Sequence, residues 1–366
     1  MPKTEADSAR IAALRTRLLN WYARNRRDLP WRQSAAPYAI WVSEIMLQQT
    51  RVAVVIERYQ AFMARFPTLL SLALAPEQDV LALWSGLGYY RRARMLHKAA
   101  QFVAENLGGN LPTSAGQLRT LPGIGVYTAA AIASIAHGEP VAVVDGNVER
   151  VLCRFAGWSA SSGKSGGAAA LRRKIENLAA KLLAPSRPGD FNQAMMELGA
   201  LVCTPRNPLC ADCPFAAECK TRGEHKTPRR AKMTSRAVAY ALVVRMKPAA
   251  SRRHSICGVR QVLLEQRSEY QSVMPGLWEL PQLRSAEVPP TDLRMTLRHA
   301  IMQVNYYARI RDVAENELAS LTASGGKRRW VSLTEASGMA LTGLARKALT
   351  RAHLLTPPLP DPPPKL

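Results

Sequence analysis

Apolar residues recur at helical spacing from residue 8 to about 220, after which the period changes. Ile11, Leu14, Leu18 and Leu19 form one stripe of a first helix. Residues 37–66 follow as one long helical run with proline in its first turn. Further helices are expected at 77–84, 89–106, 126–137, 147–156, 168–184 and 190–202, set apart by short Gly, Pro and Asn breaks. Beyond a basic segment at 220–235, residues 237–246 and 259–267 are rich in strand-forming side chains, and 302–310 and 328–333 continue in short strands. A last helical stretch at 335–353 precedes a proline-rich, disordered tail. The pattern predicts a mostly α N-terminal region, a basic linker and a smaller α+β C-terminal domain, with no internal repeat.

Composition adds a partner class. The chain has 366 residues, 47% of them hydrophobic, which is enough for two or three domains with full cores. Lys and Arg number 50 against 27 Asp and Glu, a formal charge of +23, with a pI near 10.4. That excess points to a polyanion, most simply nucleic acid; a basic surface kept for solubility is the plain alternative. No apolar run approaches the roughly 20 residues that span a bilayer, so no membrane partner is expected. Residues 1–20 are basic and helical without an apolar segment, consistent with a cytoplasmic protein, nucleoid-associated if bacterial.

Candidate chemistry begins with Cys203, Cys210, Cys213 and Cys219, spaced C-x6-C-x2-C-x5-C. Four thiols in one loop of a chain this long argue for a metal rather than disulfides. Only Cys210 and Cys213 make a zinc-type knuckle, and ligation by cysteine alone from one loop also suits an iron–sulfur cube, so both metals stay open. Cys153 and Cys257 stand apart as ordinary cysteines. Arg206 lies inside the loop, and Lys220, Arg222, Lys226, Arg229, Arg230 and Lys232 follow it.

Residues 121–129 read as a helix, a glycine hairpin and a second helix. Gly123 and Gly125 permit positive φ and keep side chains away from a ligand, and amides opening the next helix can hold a phosphate. A hairpin of this kind is also an ordinary helix connection. About twenty residues on, Asp145 follows an apolar run and precedes a helix beginning near Asn147. It is either a plain N-cap or a carboxylate held ionised by the helix terminus.

Taken together, the hairpin, Asp145 and the four-cysteine loop resemble the iron–sulfur branch of the helix–hairpin–helix DNA glycosylase superfamily. Residues 43–50 (SEIMLQQT), 84–90 (WSGLGYY) and 276–281 (GLWELP) resemble its adenine-specific branch, the MutY family, over about residues 8–350. The resemblance implies a catalytic region at 1–220, with a six-helix subdomain at 30–135 and an iron–sulfur subdomain at 8–29 and 136–220. It also implies a linker at 221–235, a Nudix-like recognition domain at 236–353 and a tail at 354–366.

The resemblance further implies a monomer with a [4Fe–4S] cluster on the four cysteines. Its partner would be double-stranded DNA holding adenine opposite 8-oxoguanine or guanine, and its activity base excision by a monofunctional adenine glycosylase. Glu44, among Trp41, Val42, Ile45, Met46 and Leu47, has the apolar setting of a general acid, and Asp145 that of its ionised partner. Tyr127 stands where lyases of the branch carry a Schiff-base lysine, and with Asn147 it assists the pair. Trp31, Leu47 and Gln193 would line the adenine pocket; an amide such as Gln193 also pairs bidentately with adenine. Core packing is the other reading of Trp31 and Leu47. Gln49 and Tyr89 match the wedge residues, Tyr90 reads as core, and Gly123 and Gly125 would meet the DNA backbone.

Arg91, Arg92 and Arg94 would touch phosphates or else form a solvated helix face. No acidic Nudix box follows Pro281, which predicts recognition without pyrophosphatase chemistry. Where the family often carries Phe-Ser-His, this chain has Ile301-Met302-Gln303, so Gln303 is the candidate reader of the opposite base. Two rivals remain: an endonuclease III-like glycosylase/lyase, and a non-catalytic iron–sulfur DNA-binding protein.

Overall fold

A computed structural model describes residues 3–158, 167–223, 232–247, 259–271, 273–301, 303–322 and 326–356. The proline-rich tail beyond residue 356, Cys257 and the linker's Lys226, Arg229 and Arg230 lie outside those residues. The helical expectation holds through residue 201. In order come α1 (Lys3–Asn25), α2 (Pro37–Leu47), α3 (Val52–Arg65), α4 (Leu69–Ala73), α5 (Glu77–Leu83) and α6 (Arg91–Asn106). They are followed by α7 (Ala115–Leu118), α8 (Val126–His137), α9 (Gly146–Ala156), α10 (Gly167–Leu182) and α11 (Pro188–Leu201).

One run divides. Instead of a single helix over 37–66 there are two, because Gln48 and Gln49 leave the helical region, Gln49 with φ +57°. Gln48 Nε2 donates to Thr128 Oγ1 at 3.1 Å, a long-range bond that local periodicity does not reveal. The two glycines of the hairpin also differ. Gly123 has φ +75°, but Gly125 is extended at φ −87° and caps α8, so only the first needs to be glycine for its backbone.

The chain separates into two compact units. The first comprises Met1–Gln49, Phe66–Ala73 and Lys98–Arg229. Its core gathers Leu14, Leu18 and Tyr22 of α1, Leu152 and Phe155 of α9, Met195 and Leu198 of α11, and Phe215 of the cysteine loop. Helix α2 is buried from Ala39 to Met46 and α8 from Thr128 to Ser134, as helices apolar on all sides require.

The second unit comprises Thr50–Arg65, Leu74–His97 and Arg230–Leu366. Its strands are β1 (Thr234–Leu242), β2 (Val244–Lys247), β3 (Val259–Gln266), β4 (Trp278–Glu279), β5 (Leu293–Ile301), β6 (Val304–Asp312) and β7 (Lys327–Ser332). One sheet runs β1-β6-β5, with β1 and β6 parallel; the other runs β2-β3-β4, with β7 also on β3. Strand β1 is buried from Val238 to Leu242 because both its faces are covered. Val238, Tyr240 and Leu242 join a core with α14 (Gly343–Arg351), whereas Ala239 and Ala241 join one with Leu318 of α12 (Leu318–Leu321).

Two sequence readings change here. β5 was not expected, because its arginines and exposed alternate positions disguise a strand that only its hairpin partner β6 specifies. The last helix divides into α13 (Leu333–Ser337) and α14, the second capped by the Thr342 hydroxyl accepting from Ala345 N.

Candidate active site

Glu44 lies in the last turn of α2 and is 6% exposed. Burial drives its carboxyl up to about 7. The Asp145 charge adds to that rise, while a hydrogen bond from Tyr127 and the Arg32 charge oppose it. Tyr127, in the first turn of α8, donates its hydroxyl to Glu44 Oε2 at 2.7 Å, with Met196 Sδ at 3.4 Å as a second acceptor. Burial and the neighbouring Glu44 hold the Tyr127 phenol well above its ordinary range, so it remains a donor near neutrality.

Asp145 is the N-cap of α9. Its Oδ1 accepts from Val148 N at 2.7 Å and its Oδ2 from Asn147 Nδ2 at 3.0 Å, which fixes the carboxylate in orientation. Asn147 Oδ1 accepts from Arg150 Nη2 at 2.9 Å, and Arg150 Nε donates to the Cys203 carbonyl at 2.7 Å. Polar contacts thus run from Asp145 to the start of the cysteine loop. A Cβ on Gly199 of α11 would lie 2.6 Å from Asn147 Cβ, so only glycine lets α11 and α9 approach this closely.

Sequence reasoning missed Glu197. It is buried and accepts from Arg27 N, Nε and Nη2 and from Arg32 Nη1 and Nη2, at 2.8 to 3.1 Å. A carboxylate one turn along α11 from Gln193, with Arg27 and Arg32 beside Trp31, was the available signal. Gln193 Oε1 accepts from Tyr22 OH at 3.3 Å, Trp31 is buried, and Leu47 is half-buried at the end of α2.

The two wedge candidates carry strained backbones. Gln49 has φ +57° and Tyr89 φ +46°, two of only five non-glycine residues with positive φ among those described. Such conformations cost of order 1–3 kcal/mol each and persist where the surroundings over-determine them. In the second unit, Tyr89 is half-exposed at the end of the 84–90 loop. Arg346 Nε donates to Ser85 Oγ at 3.0 Å, the buried Tyr90 donates to the Leu341 carbonyl at 3.2 Å, and Trp84 Nε1 donates to the Gly88 carbonyl at 3.2 Å.

Arg92 and Arg94 hydrogen-bond to the protein itself rather than forming a solvated helix face. Arg92 turns inward onto Thr50 Oγ1 and the Leu87 and Gly88 carbonyls, over the Trp84 and Tyr89 rings, and Arg94 binds Glu77 and the Pro275 carbonyl. Gln303 sits exposed in the β5–β6 turn, its carbonyl accepting from Thr234 N at 2.9 Å.

Cys203, Cys210, Cys213 and Cys219 all line one cavity, walled by Val151, Phe155, Val202 and Phe215. Two donors reach its sulfurs at 3.4 Å: Arg154 Nη1 to Cys203 and Gly223 N to Cys210. Among the described residues, no group of three or more His, Cys, Asp or Glu side chains is drawn together to hold a single metal ion.

A glycine hairpin, a capping aspartate two residues from its partner Asn147, and a buried acid held by the hairpin helix define a class. Residues 42–180 match the model of the HhH-GPD superfamily base excision DNA repair protein family. Over a longer stretch the chain is similar to adenine DNA glycosylases. It is 50% identical over 225 residues to that of Homo sapiens, covering 59% of this chain and 40% of the relative. To that of Arabidopsis thaliana it is 40% identical over 311 residues, covering 74% and 47%. It also resembles the structure of a thermostable thymine-DNA glycosylase, with TM-score 0.52 and 27% identity over 60% of this chain and 98% of that one. The chain spans about half the length of the curated relatives it matches.

Proposed function

We propose that this chain is a monofunctional DNA glycosylase that extrudes adenine lying opposite 8-oxoguanine or guanine and hydrolyses its N-glycosidic bond. The observation that carries this reading is Glu44, a buried carboxyl raised to about 7 and held by Tyr127 in the field of Asp145. A carboxyl with that value is still substantially protonated near neutral pH and can release its proton. Glu44 gives that proton to the departing adenine, which takes the bonding electron pair. The positive charge left on the sugar is stabilised by Asp145, oriented by Asn147 and Val148 N. Water then adds to the sugar, and the proton it releases restores Glu44. Tyr127 occupies the position of a Schiff-base lysine and serves the acid instead, which favours hydrolysis over lyase chemistry. Trp31, Leu47 and Gln193 form the base pocket, and Gly123 and Gly125 approach the backbone.

The test is single-turnover cleavage of duplexes with adenine opposite 8-oxoguanine, guanine or thymine, with and without alkali. Strand breaks only after alkali, fastest opposite 8-oxoguanine, are expected; nicking without alkali would transfer the chain to the lyases. Asp145→Asn should bind the duplex and release adenine orders of magnitude more slowly, since the amide lacks the charge that faces the cation.

The four cysteines fit a [4Fe–4S] cluster. All four line one cavity, ligation by cysteine alone from one loop suits a cube, and two N–H groups point at sulfur. When bound, such a cluster supplies a cross-link for the 203–219 loop. About four irons per chain are expected; stoichiometric zinc in active, colourless protein would overturn this.

Residues 236–353 are read as a Nudix-like domain sensing the opposite base, with Gln303 as the contact and Tyr89 as the intercalating wedge. Because residues 74–97 and 230–356 pack in one unit, removing the C-terminal part would also strip support from the 84–90 loop. Point changes separate the two roles. Gln303→Ala should narrow the preference for 8-oxoguanine over guanine, by about 1 kcal/mol or roughly fivefold. Arg346→Ala should slow excision opposite both bases. An unaltered preference in Gln303→Ala would remove that residue from recognition.

A further inference from the structure

Arg154 raises a charge problem that the proposed mechanism does not use. It is 3% exposed, on the wall of the four-cysteine cavity. Its Nη1 donates to Cys203 Sγ at 3.4 Å and to the Thr204 carbonyl at 2.7 Å, and its Nη2 to the Pro205 carbonyl at 3.0 Å. Its Nε is buried with no hydrogen-bond partner among the described residues. None of the ion pairs among the described residues includes it. One turn earlier on its own helix is another cation, Arg150, whose Nε donates to the Cys203 carbonyl.

Burying a guanidinium with no carboxylate partner among the described residues is costly, and neutral carbonyls offset only part of that cost. Arginine does not shed its proton to escape. An anion in the cavity, where Arg154 already reaches the Cys203 sulfur, would offset the rest. We propose that Arg154 is the buried counter-cation of an anionic metal–thiolate centre held by Cys203, Cys210, Cys213 and Cys219, a proposal that rests on the cluster reading above. Four thiolates bring four negative charges that an iron–sulfur core only partly neutralises, and the guanidinium balances part of the remainder through the Cys203 sulfur. Adding an electron makes such a centre more negative. A fixed cation therefore favours the reduced form and raises the reduction potential. Arg154 is a positioning and charge-setting residue, remote from the reacting base.

The experiment compares the purified full-length wild type with Arg154→Lys and Arg154→Met. Both variants lose the planar fork, but only lysine keeps the charge. Iron content, the rate of iron loss to a ferrous chelator and the reduction potential by voltammetry are measured. Arg154→Lys should hold its iron at nearly the wild-type potential. Arg154→Met should lose iron several-fold faster and have a more negative potential. Equal shifts in both variants, or iron loss by both alike, would reduce Arg154 to a hydrogen-bonding strut and overturn the proposal, as would an unchanged potential in Arg154→Met. Iron-free wild-type protein would instead overturn the cluster reading, and the proposal with it.

Discussion

Glu44→Gln is expected to bind duplex DNA as the wild type does and to release adenine about 10²–10⁴-fold more slowly, the usual worth of general acid catalysis. Glutamine keeps the shape and an acceptor for Tyr127 OH but has no proton to give. The wild-type rate should fall as pH rises through about 7, where Glu44 ionises. Stability should move with it. The folded carboxyl titrates at about 7 against an unfolded value of 4.5, so between those values the native state holds a proton the unfolded chain has released. Native stability therefore decreases as pH rises through that window, by on the order of 3 kcal/mol for a shift of this size. Glutamine does not titrate. The melting temperature of Glu44→Gln relative to wild type should thus be higher at pH 8 than at pH 5. Normal adenine release by Glu44→Gln at pH 7, or a stability difference with the opposite pH trend, would remove Glu44 from the role of buried acid.

Glu197→Ala should be the most destabilising substitution in the helical unit, by about 3–5 kcal/mol, because it leaves Arg27 and Arg32 facing a buried hole. Burial alone would raise the Glu197 carboxyl, but hydrogen bonds from Arg27 and Arg32 prevail and hold it at about 2. The sign is opposite to that of Glu44. The stability this group contributes is present above pH 4.5 and is lost as pH falls from there towards 2. The two carboxyls are linked through Arg32, whose charge draws Glu44 downward. In the milder Glu197→Gln, Arg32 loses its neutralising partner. Glu44 should then ionise at lower pH, moving the fall in activity the same way. Chemical unfolding at several pH values checks the first effect and a pH–rate profile the second. A Glu197→Gln profile superimposable on wild type would separate the network from the acid.

The helices were legible because burial of an apolar stripe imposes a 3.6-residue period, which α9 shows at Val148, Val151, Leu152 and Phe155. Turn chemistry was legible too: Gly123 takes the positive φ that residue type favours, and Asp145 caps the helix it precedes. The break at Gln48–Gln49 was not, since nothing local forbids helix there and the bond to Thr128 comes from 80 residues away. β5 was hidden for the same reason, its arginine-rich alternation acquiring meaning only beside β6.

For the site, residue types and motif spacing were enough to single out Glu44, Asp145, Tyr127 and the four cysteines. Their chemistry is another matter. A carboxyl value near 7 depends on how much water and charge surround Glu44, and those neighbours come from α2, α8, α9 and the Arg27–Arg32 segment. Glu197, Arg150 and Arg154 escaped notice in the sequence because an isolated acid or base on a helix looks like solvated surface. Only packing shows that they are buried, which groups they face and which of their charges lack a protein partner. Periodicity and turn residues are local properties of the chain and so survive in the sequence, whereas desolvation and charge pairing are sums over residues far apart in it and exist only once the tertiary structure brings them together.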